Sequence, residues 1–368
     1  MHNVWDEGIC LKMAGAKTIE ALSLTFTAGV AAGVFLGAAG LWALPAILLP
    51  IVSVPVFCAH RLRCSKAGPG IILLTFLTLG IFVSAQAVPF ETEESFLQSL
   101  ALKWADNLKA LISRIPFRAD DTSPLLTALL TGDKSGLSRE TTQAFRGSGA
   151  SHILALSGLH MGILYLILDR ITLPLGRSRT AIWIRAVMIV SAAGWFTLMT
   201  GAGPSIVRAF LFILIGEICT LSGRRRKPSR VLCLALLVQL VLDPGVIRSL
   251  GFQLSYLAMA GIVLLYPVLD KWYPEGRGFN PLRKIWQMAA LSISCQLFTG
   301  PLAWIKFGTF PRHFLLTNLL AIPIVTVLMW VAVFTIALFG LGWCPEFLIT
   351  ITDGLCRLLV WVQKVISS

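Results

Sequence analysis

Apolar residues run through this chain in long stretches separated by short polar segments. About 20 consecutive apolar residues suffice to cross the hydrocarbon core of a bilayer as a helix. The pattern predicts spans near 21–40, 41–58, 70–89, 152–169, 181–200, 205–222, 230–243, 250–269, 285–305 and 314–341, with a further helix near 346–366. Several are short or interrupted. The 230–243 run stops at Asp243-Pro244-Gly245, and 314–341 contains Pro323, so broken helices are expected. The expected fold is all-α, a polytopic integral membrane protein with about 10–11 transmembrane helices.

One stretch has a different rhythm. Between 94 and 115, Leu97, Ala101, Trp104, Leu108, Leu111 and Ile115 fall on one helical stripe, while Lys103, Asp106, Asn107 and Lys109 lie off it. This predicts an amphipathic helix lying on the outer membrane face or packed on the spans. Ser123-Pro124 predicts an N-cap with proline at the first helical position, and Gly132 ends that helix. Ser138 with Glu140 in the first turn starts another, stopped by Gly147.

Composition sharpens the class. Of 368 residues, 56% are hydrophobic and 13% charged, against about 25% charged in a soluble domain. Secreted, fibrous, disordered and cytosolic classes are excluded. The formal net charge is +13, which raises the question of nucleic acid. Its distribution gives a simpler reading. With the N-terminus cytoplasmic, the inside segments collect seventeen lysines and arginines, while the short outside loops hold three, Arg248, Lys306 and Arg312. Arg224-Arg225-Arg226-Lys227 then reads as a topology anchor. The segment 90–151 becomes extracytoplasmic, and its seven basic and eight acidic residues do not make a basic funnel. The eight cysteines show no CxxC spacing and read as small buried hydrophobes.

Polar side chains inside apolar spans are costly and mark bundle interiors or water paths. They cluster here. Gly149 to His160 opens a predicted span in which His152, Ser157 and His160 lie on one side of a helix. Gly201-Ala202-Gly203-Pro204-Ser205 opens another, with Ser205 able to cap it and Arg208 one turn in. Glu217 follows nine residues later, about 13 Å further along, so the two cannot pair on a straight helix. Gln253 and Ser255 sit near the start of a third span, and Arg185, Gln296 and Asn318 complete the set. Bland roles compete. Ser157 and Ser255 serve equally as small residues that let helices approach, and Gln239 and Gln296 as interhelical hydrogen bonders. A metal site or other cofactor is not expected, because the five histidines come without HExxH or HxHxDH. A Ser157–His160 hydrolase pair lacks an evident orienting acid. Arg208 is the strongest functional candidate, since a buried guanidinium calls for an anion.

These residues resemble the ComEC family of competence proteins, inner-membrane channels for DNA uptake in natural transformation. The resemblance rests on Leu129-Leu130-Thr131-Gly132-Asp133-Lys134-Ser135-Gly136-Leu137, then Phe145-Arg146, then the run from Gly149 to His160 with its HILALSGLH core. Three further blocks follow in order: Pro204-Ser205-Ile206-Val207-Arg208-Ala209 with Gly223-Arg224-Arg225, Asp243-Pro244 with Gly251-Phe252-Gln253-Leu254-Ser255-Tyr256, and Thr317-Asn318-Leu319-Leu320-Ala321-Ile322-Pro323. Larger members carry an OB-like domain before the signature and a metallo-β-lactamase-like nuclease domain after the spans. Here 90–123 occupies the first place, and the HxHxDH zinc motif is absent from the sequence. Strand degradation is therefore expected from another polypeptide. The implied organisation is N-terminal transmembrane helices over 1–90, extracytoplasmic amphipathic and short helices over 91–151, and a competence-type channel core over 152–368.

The implied function is a channel, not an enzyme, that passes single-stranded DNA into the cytoplasm. Arg208, with Arg146 and Arg185, would supply cations. His152, Ser157, His160, Gln253 and Asn318 would supply neutral hydrogen bonders along the path. Phe252 and Tyr256 could meet passing bases without sequence preference. No GxxxxGK[ST] motif occurs, so pulling force is expected from a cytoplasmic motor or helicase, or from the membrane gradient. Membrane lipids and a separate nuclease complete the expected partners. By physics alone, a secondary transporter of a small anionic solute fits the broken helices and intramembrane arginine equally well. A membrane-embedded hydrolase built on Ser157 and His160 is a third reading.

Overall fold

The computed structural model describes residues 19–35, 68–85, 96–176, 178–273, 280–308 and 312–367, and every regular element among them is helical. The helices are α1 (Ile19–Phe35), α2 (Gly68–Ala85), α3 (Phe96–Arg114), α4 (Thr122–Thr131), α5 (Arg139–Gly147), α6 (Ser151–Leu154), α7 (Gly158–Thr172), α8 (Arg179–Met199), α9 (Pro204–Leu221), α10 (Pro228–Leu242), α11 (Leu250–Leu264), α12 (Tyr266–Asp270), α13 (Pro281–Phe307), α14 (Phe314–Gly340) and α15 (Glu346–Ser367). Among the described residues, six stretches are long and apolar enough to cross a membrane: Gly158–Leu175, α8, α9, Leu250–Asp270, α13 and α14. The protein is a polytopic α-helical membrane protein. The span expected at 41–58 lies outside the described residues, as do the basic residues Lys12, Lys17, Arg61, Arg63, Lys66, Arg177 and Arg277.

The chain divides into two compact units, residues 1–92 with 218–253, and residues 93–217 with 254–368. In the first, α1 and α2 meet through glycines. A Cβ at Gly29 would run into the Leu77 carbonyl, and one at Gly80 into that of Phe26. Such backbone approach between apolar helices needs small residues. Helix α10 stops where the Asp243-Pro244-Gly245 signal places it. The Asp243 carboxylate accepts from the Val246 N–H at 3.2 Å and opens a 3-10 turn over Pro244–Arg248. Arg248 then donates to the Val34 carbonyl at 3.1 Å, near the end of α1.

The second unit has one main core. Ile112 of α3, Leu125 and Leu129 of α4, Phe145 of α5, Ile153 of α6, Ile163 of α7, Leu328 of α14 and Leu359 of α15 are all buried in it. The short helices of 96–151 are therefore packed on the apolar helices. The packed face of α3 is Ala101, Ala105, Leu108 and Ile112, continued by Ile115 just past its end. Leu97 and Trp104, expected on that face, remain exposed, and Trp104 meets Trp195 of α8 edge-on at 6.0 Å.

Three local expectations are corrected. Helix α4 begins at Thr122, two residues early, with Asp121 at the cap position. The Asp121 carboxylate does not cap its own helix, because it accepts from the Thr141 hydroxyl at 2.8 Å. Helix α9 opens on Pro204 after a left-handed Gly201-Ala202 turn, which puts Ser205 inside the helix. Neither Pro323 in α14 nor Pro301 in α13 breaks its helix. A proline removes one intrahelical hydrogen bond, and α14 offsets that loss by burying Ala321, Val325, Leu328, Met329, Ala332 and Ile336. The Gly132 stop of α4 and the Ser138 cap of α5 stand as expected, with Gly132 at φ 82° and Ser138 accepting from the Thr141 N–H at 3.1 Å.

Helix α15 is not among the six spans, since it carries Glu346, Asp353, Arg357 and Lys364. Thr352, Asp353 and Gln363 turn inward, while Glu346 and Arg357 stay exposed. The Asp353 carboxylate accepts from the Thr122 hydroxyl at 2.6 Å and the Ala119 N–H at 3.2 Å. The Ser148 hydroxyl donates to Gln363 at 2.5 Å, and the Thr317 hydroxyl donates to the Ser148 carbonyl at 2.7 Å. Thr335 and Thr352 share a hydrogen bond of 2.9 Å. This buried polar seam fastens α4 to α6 onto α14 and α15.

Candidate functional site

The site begins with a break in the chain. Sequence periodicity puts His152, Ser157 and His160 on one helix, but the helix is interrupted. The one-turn α6 ends at Leu154, Ala155 and Ser157 are extended, and α7 starts at Gly158. Ser157 is the N-cap of α7. Its hydroxyl accepts from the Leu159 N–H at 3.3 Å, and His160 Nδ1 accepts from the Ser157 N–H at 3.3 Å. A serine cap with a side chain three residues on reaching back to the cap N–H is a capping box, here with histidine in place of glutamate. Capping won over continuation because Ser157 and His160 satisfy otherwise orphaned N–H groups at apolar depth.

The break separates the two histidines. His160 is fully buried, with Nδ1 3.2 Å from the Ser157 hydroxyl and Nε2 without a partner among the described residues. His152 is exposed, with Nδ1 3.1 Å from the Gly149 carbonyl and Asn318 as its neighbour. The Asn318 side-chain carbonyl is buried and has no hydrogen-bond donor among the described residues.

Arg208 lies beside the Ser157–His160 cap. Gly158 makes room for it, since a Cβ there would come to 3.0 Å from Arg208 Nη2. Arg208 is 7% exposed, donates to the Ser255 carbonyl and stands over the Tyr256 ring at 5.9 Å. A carbonyl and an aromatic face stabilise a cation without cancelling its charge. No carboxylate pairs with Arg208 among the described residues.

Polar contacts continue along α7, α8 and α9. The Tyr165 hydroxyl donates to Glu217 at 3.3 Å, and Arg185 pairs with Asp169 at 2.8 Å. Gly158 meets Arg208 while Tyr165 meets Glu217, so α7 and α9 run in the same direction. Met161, Ala193 and Ile206 cluster while Asp169 meets Arg185, so α8 runs the opposite way. Three consecutive spans thus carry polar groups along about 13 Å of α7, from His160 to Asp169.

The other candidates are placed as follows. Arg146 is exposed in the last turn of α5. Gln253 belongs to the first unit and donates to the Ile247 carbonyl at 2.7 Å. The structure thus brings together Ser157, His160 and Arg208. It holds Arg185 in an ion pair, and it leaves His152 with Asn318 at the head of the break. Among the described residues, no group of three or more His, Cys, Asp and Glu side chains is arranged to hold a metal ion.

Sequence reasoning missed Asp353, Gln363, Thr122 and Thr317, which carry the polar seam. Asp353 and Gln363 stood in an apolar stretch and were the available signal. It also missed the Lys109–Asp133 pair at 2.9 Å. Hydrogen bonds from Ser135, then the pairing with Lys109, hold the Asp133 carboxyl well below its ordinary range. Asp133 in turn raises the Lys109 ammonium.

The six spans and the buried cation at the head of α7 and α9 define a polytopic membrane protein with an intramembrane polar site. The family model described as competence protein matches residues 129–368, and the chain belongs to that family. ComE operon protein 3 of Bacillus subtilis is 27% identical over 206 residues, 56% of this chain and 25% of the relative. Recombination protein 2 of Haemophilus influenzae is 26% identical over 214 residues, 56% of this chain and 27% of the relative. The uncharacterized protein YcaI of Escherichia coli is 26% identical over 237 residues, 62% of this chain and 30% of the relative. The chain thus spans about a quarter to a third of the length of these relatives. No solved structure matches it.

Proposed function

We propose that this chain lines the membrane path by which single-stranded DNA enters the cytoplasm in natural transformation. The observation that carries the reading is Arg208, a buried cation in the family-matched region with no carboxylate partner among the described residues. A strand crossing a membrane needs cations to meet phosphates in passing and neutral groups between them, so that no step is a deep trap. Arg208 fills the first role, and Ser157, His160 and Asn318 fill the second. His152 and Arg146 stand at the entrance, and Arg185 steadies the far part of the track through Asp169. The N-terminus is cytoplasmic and 90–151 faces outward, by the distribution of lysine and arginine. The protein acts as a channel without covalent chemistry. A separate nuclease supplies the single strand, and a cytoplasmic motor or helicase draws it in.

The test uses purified chain in proteoliposomes. A labelled single-stranded oligonucleotide is offered outside, and nuclease-protected label is counted inside, with wild type and Arg208→Ala compared at equal insertion. Entry that Arg208→Ala abolishes supports the reading. Saturable uptake of a small anion with no entry of the oligonucleotide overturns it in favour of a secondary transporter.

A further inference from the structure

Helix α15 has three distinct faces. Thr352, Asp353, Cys356, Leu359, Val362 and Gln363 are buried against the rest of the second unit. Phe347, Ile351, Leu358, Trp361 and Val365, at 60, 45, 43, 61 and 53% exposure, form an outward apolar stripe broken only by Gly354. Between these two faces runs a polar stripe of Glu346, Thr350, Arg357 and Lys364, whose spacings of 4, 7 and 7 residues stack them on one line of the helix. The Thr335–Thr352 bond and the link from Thr317 through Ser148 to Gln363 set α15 antiparallel along α14, so its outward apolar stripe lies lengthwise against acyl chains while the long polar side chains beside it reach toward the headgroups.

A cleft of about 500 Å³ opens where the polar and apolar stripes meet. Arg118, Thr350, Asp353, Gly354, Arg357, Leu358 and Trp361 line it. Arg118, from the loop before α4, is exposed and makes no hydrogen bond or ion pair within the protein among the described residues. Arg357 is 67% exposed in its side chain and reaches Asp353 only at 3.8 Å. The Asp353 carboxylate, 4% exposed, is already engaged by Thr122 and Ala119. Two guanidiniums thus face a cleft whose one carboxylate is committed elsewhere, beside a hydrophobic wall of Leu358 and Trp361.

We propose that this cleft binds the phosphodiester headgroup of an anionic phospholipid. The Arg118 and Arg357 guanidiniums take the phosphate oxygens, and one acyl chain lies along Leu358, Trp361 and Val365. Planar guanidiniums suit phosphate oxygens, and the exposed Leu358 and Trp361 give an acyl chain an apolar wall. The charge of the cleft selects anionic over zwitterionic lipid. This inference rests on the membrane fold alone, not on the DNA reading.

The test is native mass spectrometry of the full chain in mild detergent. Phosphatidylglycerol, cardiolipin or phosphatidylcholine is added, and Arg118→Gln/Arg357→Gln is compared with wild type. Wild type is expected to retain the anionic lipids in preference to phosphatidylcholine. The double variant should bind them about thirtyfold more weakly, roughly fivefold for each cation. Arg139→Gln, an exposed arginine away from the cleft, removes one charge without loss and guards against a general charge effect. Equal retention by wild type and double variant overturns the proposal. So does displacement of lipid by millimolar inorganic phosphate, which would make the cleft a site for small anions. Loss of oligonucleotide binding with lipid retained would assign the cleft to nucleic acid and also overturns it. Proteoliposome entry of DNA is scored separately, so failure here leaves the Arg208 result standing.

Discussion

At the scale of single residues, burial decides what a polar group can do. Arg208 was legible in the sequence because a guanidinium one turn into an apolar run needs an explanation. Its partners were not legible, since Ser255 and Tyr256 lie on a helix about 50 residues away in sequence and only packing brings them near. Asp353 was hidden for the same reason, as both its donors come from the loop and first residue of α4. Asp353→Ala would leave the buried Thr122 hydroxyl and the part-buried Ala119 N–H without this acceptor. It should destabilise the protein by roughly 1–3 kcal/mol, and Asp353→Asn, which keeps an acceptor oxygen, by less. Thermal unfolding in detergent reads both, and an unchanged midpoint for Asp353→Ala would remove the seam from the account. The Lys109–Asp133 pair gives a pH dependence of known sign. The lowered carboxyl contributes stability above its ordinary value of 3.8 and loses it as pH falls through its depressed folded value. The raised ammonium of Lys109 contributes below its ordinary 10.5 and loses that as pH rises through its folded value. The destabilisation caused by Asp133→Asn should therefore be constant near neutrality and shrink below about pH 4. A difference that grows on acidification would contradict the pairing.

At the scale of elements, hydrophobic runs located the helices well and their interruptions less well. Gly132, Ser138 and Asp243 acted where their local chemistry places them, because a cap or a left-handed turn is decided within a few residues. Pro323 misled, since its cost is local while the burial of α14 is spread over the whole helix. The stretch from Ala155 to Ser157 misled in the opposite direction. Nothing apolar breaks there, but a serine and a histidine three residues apart close a capping box and start a new helix. Gly158 and Gly261 then set how near their helices come. A Cβ at Gly261 would meet the Ser294 carbonyl of α13, so Gly261→Leu should part α11 from α13 and destabilise by about 1–3 kcal/mol. Gly158→Val should displace the Arg208 guanidinium from Ser255 while sparing the fold. Its oligonucleotide entry in proteoliposomes should fall in the same direction as that of Arg208→Ala. Normal entry by Gly158→Val would argue that the position of Arg208 does not matter.

At the scale of the whole molecule, the sequence carried the class and the family more clearly than the site. Long apolar runs and low charge are summed over hundreds of residues, so local errors average out, and ordered motif blocks spread over much of the chain identify the family. The site depends on a few contacts between distant segments, and those appear only on folding. The charge distribution predicts an orientation that labelling can check. Ser135→Cys should react with a membrane-impermeant maleimide from outside the intact cell, over the wild-type background. Ser222→Cys, beside the arginine cluster, should react only after permeabilisation, and the reverse pattern would invert the topology. The most direct test of the central claim is made in the host. The chain is deleted, or replaced by Arg208→Ala at equal membrane abundance, and labelled double-stranded DNA is supplied. Nuclease-protected label outside the cytoplasmic membrane is scored separately from label in the cytoplasm. The account predicts that label accumulates outside while cytoplasmic entry is lost in both strains. Cytoplasmic label at the wild-type level in the deletion strain would contradict it.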